Sequence, residues 1–352
     1  MASRSAVSFR SLLSPLLLGL TLTLLISCKP VNLGSGEPSA NQSPGTTPTP
    51  PLPPRRQAIW KDFDSERSMS TAQAILSLGN RIAGSTALDQ VRGYLKSNLV
   101  TAGWEVTEQP FTEQAPGGQE IRFSSLIGRY QRVPLAKPFY LVAAHFDSLN
   151  LGFAIDPGAT DGAANSAVLL EIAHTLSLDP RLAAHVELLF LDGHMPFHQI
   201  TPNDGLFGSR FYTQMLQFNR NTDNASAAVV LEHLGASGSP LGYAPNSDAG
   251  LIEQFRSAAQ SLKIDLEAGK RPLLLDHVPF QNTGTPAISL LDLDEPYLNT
   301  ADDDASHLNR DALAQAGQLV LYFLSEQNIA PAPAPTQTAL SEQALRQTKG
   351  KN

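Results

Sequence analysis

Residues 139–167 read F-Y-L-V-A-A-H-F-D-S-L-N-L-G-F-A-I-D-P-G-A-T-D-G-A-A-N-S-A. An apolar run climbs from Phe139 to His145 and Asp147, and a loop punctuated by glycine and proline then delivers Asp161 to a helix of small residues. In an open α/β sheet the site lies beyond the carboxyl ends of the strands. An imidazole and two carboxylates that end one strand and its loop therefore stand where metal ligands are offered. Taken alone, Asp161 also suits a helix N-cap, and His145 a hydrogen-bonded histidine at a strand end.

On either side of this stretch helices and strands alternate. Apolar spacing predicts helices over 70–79 and 87–102, while alternation over 105–111 and 120–129 around P-G-G predicts an antiparallel pair beside the main sheet. After the small-residue helix over 163–178 comes a buried strand over 186–191, then a helix over 206–216. A third strand over 227–231 ends in Glu232-His233, and a helix over 251–262, a strand over 287–291 and a helix over 313–324 complete the series. This pattern predicts a single α/β domain with a mostly parallel central sheet flanked by helices on both faces.

H-x-D at 145–147 followed by G-A-T-D at 158–161 is similar to the M28 zinc peptidase superfamily, and most of all to its glutaminyl-peptide cyclotransferase branch. Further landmarks extend the resemblance over about 83–324: D-G-H-M-P-F at 192–197, D-G-L-F-G-S-R at 204–210, L-E-H-L-G-A at 231–236, L-D-H-V-P-F at 275–280 and L-N-T-A-D-D at 298–303. The corresponding cyclase motifs are D-G-E-E-A-F, D-S-L-Y-G-S-R, L-L-D-L-x-G-A, D-D-H-I-P-F and W-H-T-x-D-D. The resemblance implies the zinc-aminopeptidase-like fold and one zinc, held by the aspartate of G-A-T-D, the second glutamate of D-G-E-E and the histidine of W-H-T.

Here those three ligand positions are Asp161, Met195 and Asn299. A thioether and a carboxamide are poor zinc ligands, so the family's zinc is in doubt. The glutamate that the resemblance makes the proton shuttle is His194, the two tryptophans of the substrate pocket are Ile200 and Leu298, and the supporting acids are Glu232 and Leu275. His194 and Glu232 thus stand at the catalytic positions with altered chemistry. These losses predict a non-catalytic domain that acts by binding peptides or proteins. The second reading is an active metallohydrolase, of aminopeptidase or cyclase type, with a shifted zinc on His145, Asp161, Glu232 and, as a fourth ligand or a base, His194. Asp147 would then orient His145.

The remaining candidates read as ordinary structure. His174 and His185 are taken to be without partners, His198 and His307 to be solvated or capping, and residues 302–304 to be a turn and helix start without the spacing of a calcium loop. No serine elbow is present at 205–209.

The ends of the chain are of different composition. Arg4 and Arg10 flank an apolar segment over 12–26 that reads as a signal peptide, residues 1–27, ending L-I-S-C at the only cysteine. This resembles a bacterial lipobox and predicts a lipid anchor on Cys28, which places the protein in the cell envelope on the periplasmic or outer-membrane face. Residues 28–60 are rich in Pro, Ser and Thr and read as a tether, residues 61–329 as the domain, and residues 330–352 as a polar disordered tail. A net charge of −8 without basic clusters argues against a nucleic-acid partner, and a monomer is expected.

Overall fold

The computed structural model describes residues 53–130, 135–137, 139–150, 152, 156–219 and 225–328. These belong to one compact unit. The signal peptide, Cys28 and the tail over 330–352 lie outside the described residues, as does most of the tether. No helix among the described residues is long and apolar enough to cross a membrane.

Eight strands form one sheet: β1 (Trp104–Gln114), β2 (Glu120–Tyr130), β3 (Phe139–His145), β4 (Val186–Leu191), β5 (Ala225–Leu231), β6 (Leu241–Tyr243), β7 (Glu267–Ala268) and β8 (Ala287–Asp292). Their order is β1-β2-β4-β3-β5-β8-β6-β7. The four central strands, β4, β3, β5 and β8, are mutually parallel, whereas β2 runs antiparallel to β4 and β6 antiparallel to β8. β1 and β2 form the expected antiparallel ladder, from Trp104 opposite Tyr130 to Gln114 opposite Glu120.

Burial on both faces explains why the central strands read as unbroken apolar runs. Side chains of one parity, Val142, Ala144, Leu188, Phe190, Val229 and Leu231, enter the larger core. Helices α1 (Ser65–Ser77), α2 (Thr86–Thr101), α3 (Asn165–Leu176), α6 (Ala249–Leu262) and α8 (Arg310–Tyr322) contribute to it, and the single turn α4 (Pro180–Ala183) adds Leu182. The other parity, Leu141, Ala143, Leu189, Leu191 and Val230, meets α5 (Phe207–Phe218) through Tyr212 and Leu216, and α7 (His277–Asn282) through Phe280. Two helical layers on a pleated sheet follow from this two-residue alternation.

Two boundaries differ from expectation. α1 begins at Ser65, five residues before the predicted start, because the Asp64 carboxylate accepts the Arg67 N–H and caps the helix there. The fold also begins before residue 61. Ile59 is fully buried, Arg55 Nε lies 2.6 Å from Asp179 Oδ2, and Trp60 packs edge-on against Tyr322. Residues 53–60 therefore belong to the domain rather than to the tether.

Gly317 on α8 tests this docking of the N-terminal segment. A Cβ at that position would lie 2.0 Å from Cε2 of Phe63. Glycine to alanine within a helix ordinarily gains about 1 kcal/mol. Here overpacking of roughly 1–3 kcal/mol opposes that gain, so Gly317→Ala should lower Tm in a thermal melt, and Phe63→Ala in the same chain should offset part of the Gly317→Ala penalty.

Candidate functional site

The four parallel strands end on one edge, and each hands on an ionisable side chain. β3 ends at His145 and continues to Asp147. β4 continues through Asp192 and Gly193 to His194, and β5 is followed by Glu232 and His233. The loop before α3 returns Asp161 to the same edge. Gly162, at φ 105°, is required there, since a Cβ would come within 2.3 Å of the Asp147 carbonyl.

A fully buried arginine builds this loop. Arg81 donates through Nε to the Phe146 carbonyl at 2.9 Å, through Nη1 to Pro157 at 2.9 Å and through Nη2 to Gly158 at 2.7 Å. Burial lowers its pKa to about 10, while Asp147, Asp156, Asp303 and Asp161 hold the charge in place. Asp303 secures the loop from the other side by accepting the Thr160 N–H at 2.9 Å and the Thr160 hydroxyl at 3.1 Å. The acidic turn at 302–304 is therefore divided: Asp304 caps a short turn, as expected, and Asp303 is buried against the site loop.

At the centre His145 Nε2 lies 2.9 Å from Asp161 Oδ1, and its Nδ1 approaches Asp147 Oδ1 at 3.3 Å. Asp147 also accepts the backbone N–H groups of His194 and Met195, so one carboxylate ties the ends of β3 and β4 together. The His194 ring stacks on His145 with centroids 4.1 Å apart, and its Nδ1 lies 2.7 Å from Asp276 Oδ2. Ser209 donates to the other oxygen of Asp276 at 2.5 Å. Glu232 accepts the Asp276 N–H on Oε1, and its Oε2 lies 3.8 Å from both His145 Nε2 and His194 Nδ1. Oε2 is buried and has no hydrogen-bond partner among the described residues.

Burial works against charge on His145, yet Asp161 and Asp147 outweigh it and hold the imidazole well above its ordinary pKa. For His194, burial and the charge of His145 pull the pKa down, and Asp276 and Glu232 overcome them to lift it to about 9. Burial raises Glu232 to about 7 against the pull of His194. The opposite balance holds for Asp161, where His145 defeats burial and keeps the carboxyl well below the usual range.

Beside this cluster is a cleft of about 410 Å³ whose walls include Asp161, His194, Met195, Ile200, Leu298 and Asn299. All the positions that the motif correspondence assigned to the metal, the acid/base and the aromatic walls thus open on one space. At the family's zinc position the residues do not fit the ion, because Asp161 is accompanied only by a thioether and a carboxamide. The neighbouring donors do fit one. Ligand atoms of His145, His194 and Glu232 lie within 4.8 Å of one another, and the unpartnered Glu232 oxygen faces both imidazoles. Asp161 adjoins this trio through His145 Nε2.

Four contributors were not legible beforehand. Asp276, one residue after the Leu275 that replaces a family acid, supplies the carboxylate bound to His194. Arg81 lies in an N-R-I-A-G-S segment that reads as a polar loop, and it is fully buried. Asp303 and His233 are the other two. Among the histidines read as ordinary, His174 is not without partners, for its Nδ1 lies 3.5 Å from Glu171 Oε2. His185 also has a partner, and His307 stacks on Tyr297.

The parallel core, with the site at its carboxyl edge, gives the domain the fold of the M28 zinc exopeptidases. Residues 126–324 match the model of Peptidase family M28, and the chain belongs to that family, in its glutaminyl cyclase-like branch. Glutaminyl-peptide cyclotransferase of Boiga irregularis is 28% identical over 288 residues, spanning 70% of this chain and 77% of that protein. The glutaminyl-peptide cyclotransferase-like protein of Mus musculus is 29% identical over 279 residues, spanning 70% and 72%. Among solved structures, a glutaminyl cyclase of Porphyromonas gingivalis has a TM-score of 0.66 at 24% identity, covering 75% of this chain and 99% of that one. A Zn-dependent exopeptidase of Parabacteroides distasonis has a TM-score of 0.67 at 21% identity, covering 75% and 99%.

His277 follows Asp276 at the start of α7 and reports on how that segment is held. Its Nδ1 lies 3.0 Å from Ser289 Oγ and its Nε2 3.0 Å from Asn246 Nδ2, and burial lowers its pKa to about 4 despite Asp276. A depressed histidine stabilises the fold above its unfolded pKa of about 6.5 and loses that contribution as pH falls toward about 4. The stability advantage of the wild type over His277→Gln, read from denaturant melts across pH, should be largest near pH 7 and should shrink toward pH 4 by an amount on the order of 3 kcal/mol.

Proposed function

We propose that this protein is a lipid-anchored protein of the bacterial cell envelope whose M28 domain binds peptides or proteins in its cleft and does not turn them over. The observation that carries this reading is the convergence of Asp161, Met195 and Asn299 on one cleft. A zinc at the family position would have a single good ligand. The acid/base position is also altered: His194 replaces a carboxyl group, and its Nδ1 is engaged by Asp276. Positioned acid/base groups contribute about 10²–10⁴-fold to rate, and a metal Lewis acid several kcal/mol more. Ile200 and Leu298 leave apolar walls suited to an aliphatic side chain. The L-I-S-C sequence and Pro-rich tether support the anchor, and the acidic net charge of −8 supports a partner other than nucleic acid.

A second reading, favoured by the unpartnered Glu232 Oε2, is a shifted zinc on His145, Glu232 and His194 with Asp161 beside it. To give Nδ1 to an ion, His194 would have to release Asp276, while Asp147 would continue to orient His145. Bound there, zinc would polarise a carbonyl or lower the pKa of a bound water.

Two experiments separate these readings and a third tests the anchor. Purified protein should show no cyclisation of N-terminal glutamine and no aminoacyl cleavage. Zinc-dependent turnover that is lost in Glu232→Ala would establish the shifted site instead. Met195→Glu combined with Asn299→His should complete a three-ligand site on Asp161 and raise zinc uptake. At a hundredfold excess of zinc over Kd, the double variant should gain about 2.7 kcal/mol and melt higher. Uptake no greater than the parent's would mean that the ligand positions are misassigned. Finally, Cys28→Ser should release the protein from the membrane fraction, and unchanged fractionation would sink the lipid anchor.

A further inference from the structure

The cleft beside the histidine pair carries nitrogen donors that the buried cluster does not use. Arg271, on the segment between β7 and α7, lines it together with His233. Both also line an adjoining depression of about 290 Å³, so they sit where the two spaces meet. Neighbouring Lys270 is committed to Asp294, at 2.7 Å and 2.8 Å, whereas Arg271 has no acidic partner among the described residues. His233 shares that lining, although its Nδ1, which has no partner among the described residues, is shielded from solvent, so Arg271 presents the accessible donors.

Three of the nearby acids are already engaged, while exposed Glu267 also borders the smaller space. Glu295 accepts the Thr160 hydroxyl on one oxygen and the Tyr297 N–H on the other. Asp292 accepts the Ala236 N–H at 2.6 Å, and Asp161 is paired with His145. His194 spends Nδ1 on Asp276, which leaves Nε2 as its uncommitted nitrogen. An exposed arginine usually serves only solvation. This one lines a half-enclosed cleft together with His233 and the apolar side chains of Ile200 and Leu298. A planar guanidinium matches a carboxylate with two parallel N–H donors, a geometry that lysine does not offer.

We infer that the cleft takes a peptide bearing a free carboxylate, with an aliphatic residue against Ile200 and Leu298 and the carboxylate on the Arg271 guanidinium. This rests on the peptide-binding reading and adds to it the chemical class that is bound.

The test is calorimetric titration of the purified full-length protein at pH 7 with three probes. These are an N-acetylated tripeptide of leucines with a free carboxylate, the same peptide as its C-terminal amide, and the amide with one leucine replaced by aspartate. The free acid should bind about tenfold more tightly than the plain amide, the ratio expected when one charge-assisted hydrogen bond is removed. Arg271→Gln should bring that ratio close to one without changing Tm, and Arg271→Lys should restore only part of it. Ile200→Arg should abolish binding of all three. If the aspartyl amide matches the free acid, the inference stands and the carboxylate comes from a side chain. Equal binding of acid and plain amide, or an unchanged ratio in Arg271→Gln, overturns the inference. If that equal binding is nevertheless lost in Ile200→Arg, the peptide-binding reading survives. If none of the probes binds, both fall.

Discussion

Buried carboxylates must be matched by buried positive charge or by N–H donors, and the carboxyl edge of this sheet is built around that requirement. Arg81 meets it without forming a direct ion pair. Its fork is spent on the carbonyls of Phe146, Pro157 and Gly158, so it shapes the loop, while its charge steadies four surrounding aspartates. The loop geometry that brings Asp161 to His145 is held by this side chain together with Asp303, and the Asp147 carbonyl close by makes Gly162 necessary. Without the guanidinium, three carbonyls and several carboxylates would lose their compensation together.

The stacked pair of His145 and His194 extends the same principle. Each ring has a carboxylate within 3 Å, Asp161 for the first and Asp276 for the second, and Glu232 lies between them with one oxygen unpaired. Positive charge on the rings does here what a divalent ion does in a metal site: it makes a group of buried acids tolerable. The same donors can accept an ion if protons leave, because metal binding requires neutral imidazole. Protonated rings and a bound metal are thus competing solutions to one electrostatic problem, and the choice bears directly on whether the domain does chemistry.

The relationship between this cluster and the cleft explains how a family fold can be kept while the residues at its ligand positions are exchanged. Ligand and wall positions project from loops at strand ends, where exchanges such as Met195 or Leu298 leave the parallel core undisturbed. The pairings of β4, β3, β5 and β8 depend on alternating apolar contacts with two helical layers, none of which involves the site residues. Stability and reactivity are therefore set by largely separate sets of residues.

Much of this was legible in the chain itself. The run at 139–145 read as the central strand, as it is. The alternation around P-G-G determined the antiparallel edge, and the motif spacing brought Met195, Ile200, Leu298 and Asn299 to one cleft. These readings succeed because strand period, turn chemistry and loop spacing are local properties. What only the tertiary structure decided involves partners far apart in sequence: Arg81 with the loop at 157–161, His194 with Asp276, Thr160 with Asp303, and residues 53–60 with α8. No local pattern announces that an arginine in a polar loop will be buried, or that the carboxylate at 276 will meet the imidazole at 194. Those outcomes depend on which distant charges the fold encloses in the same low-dielectric space.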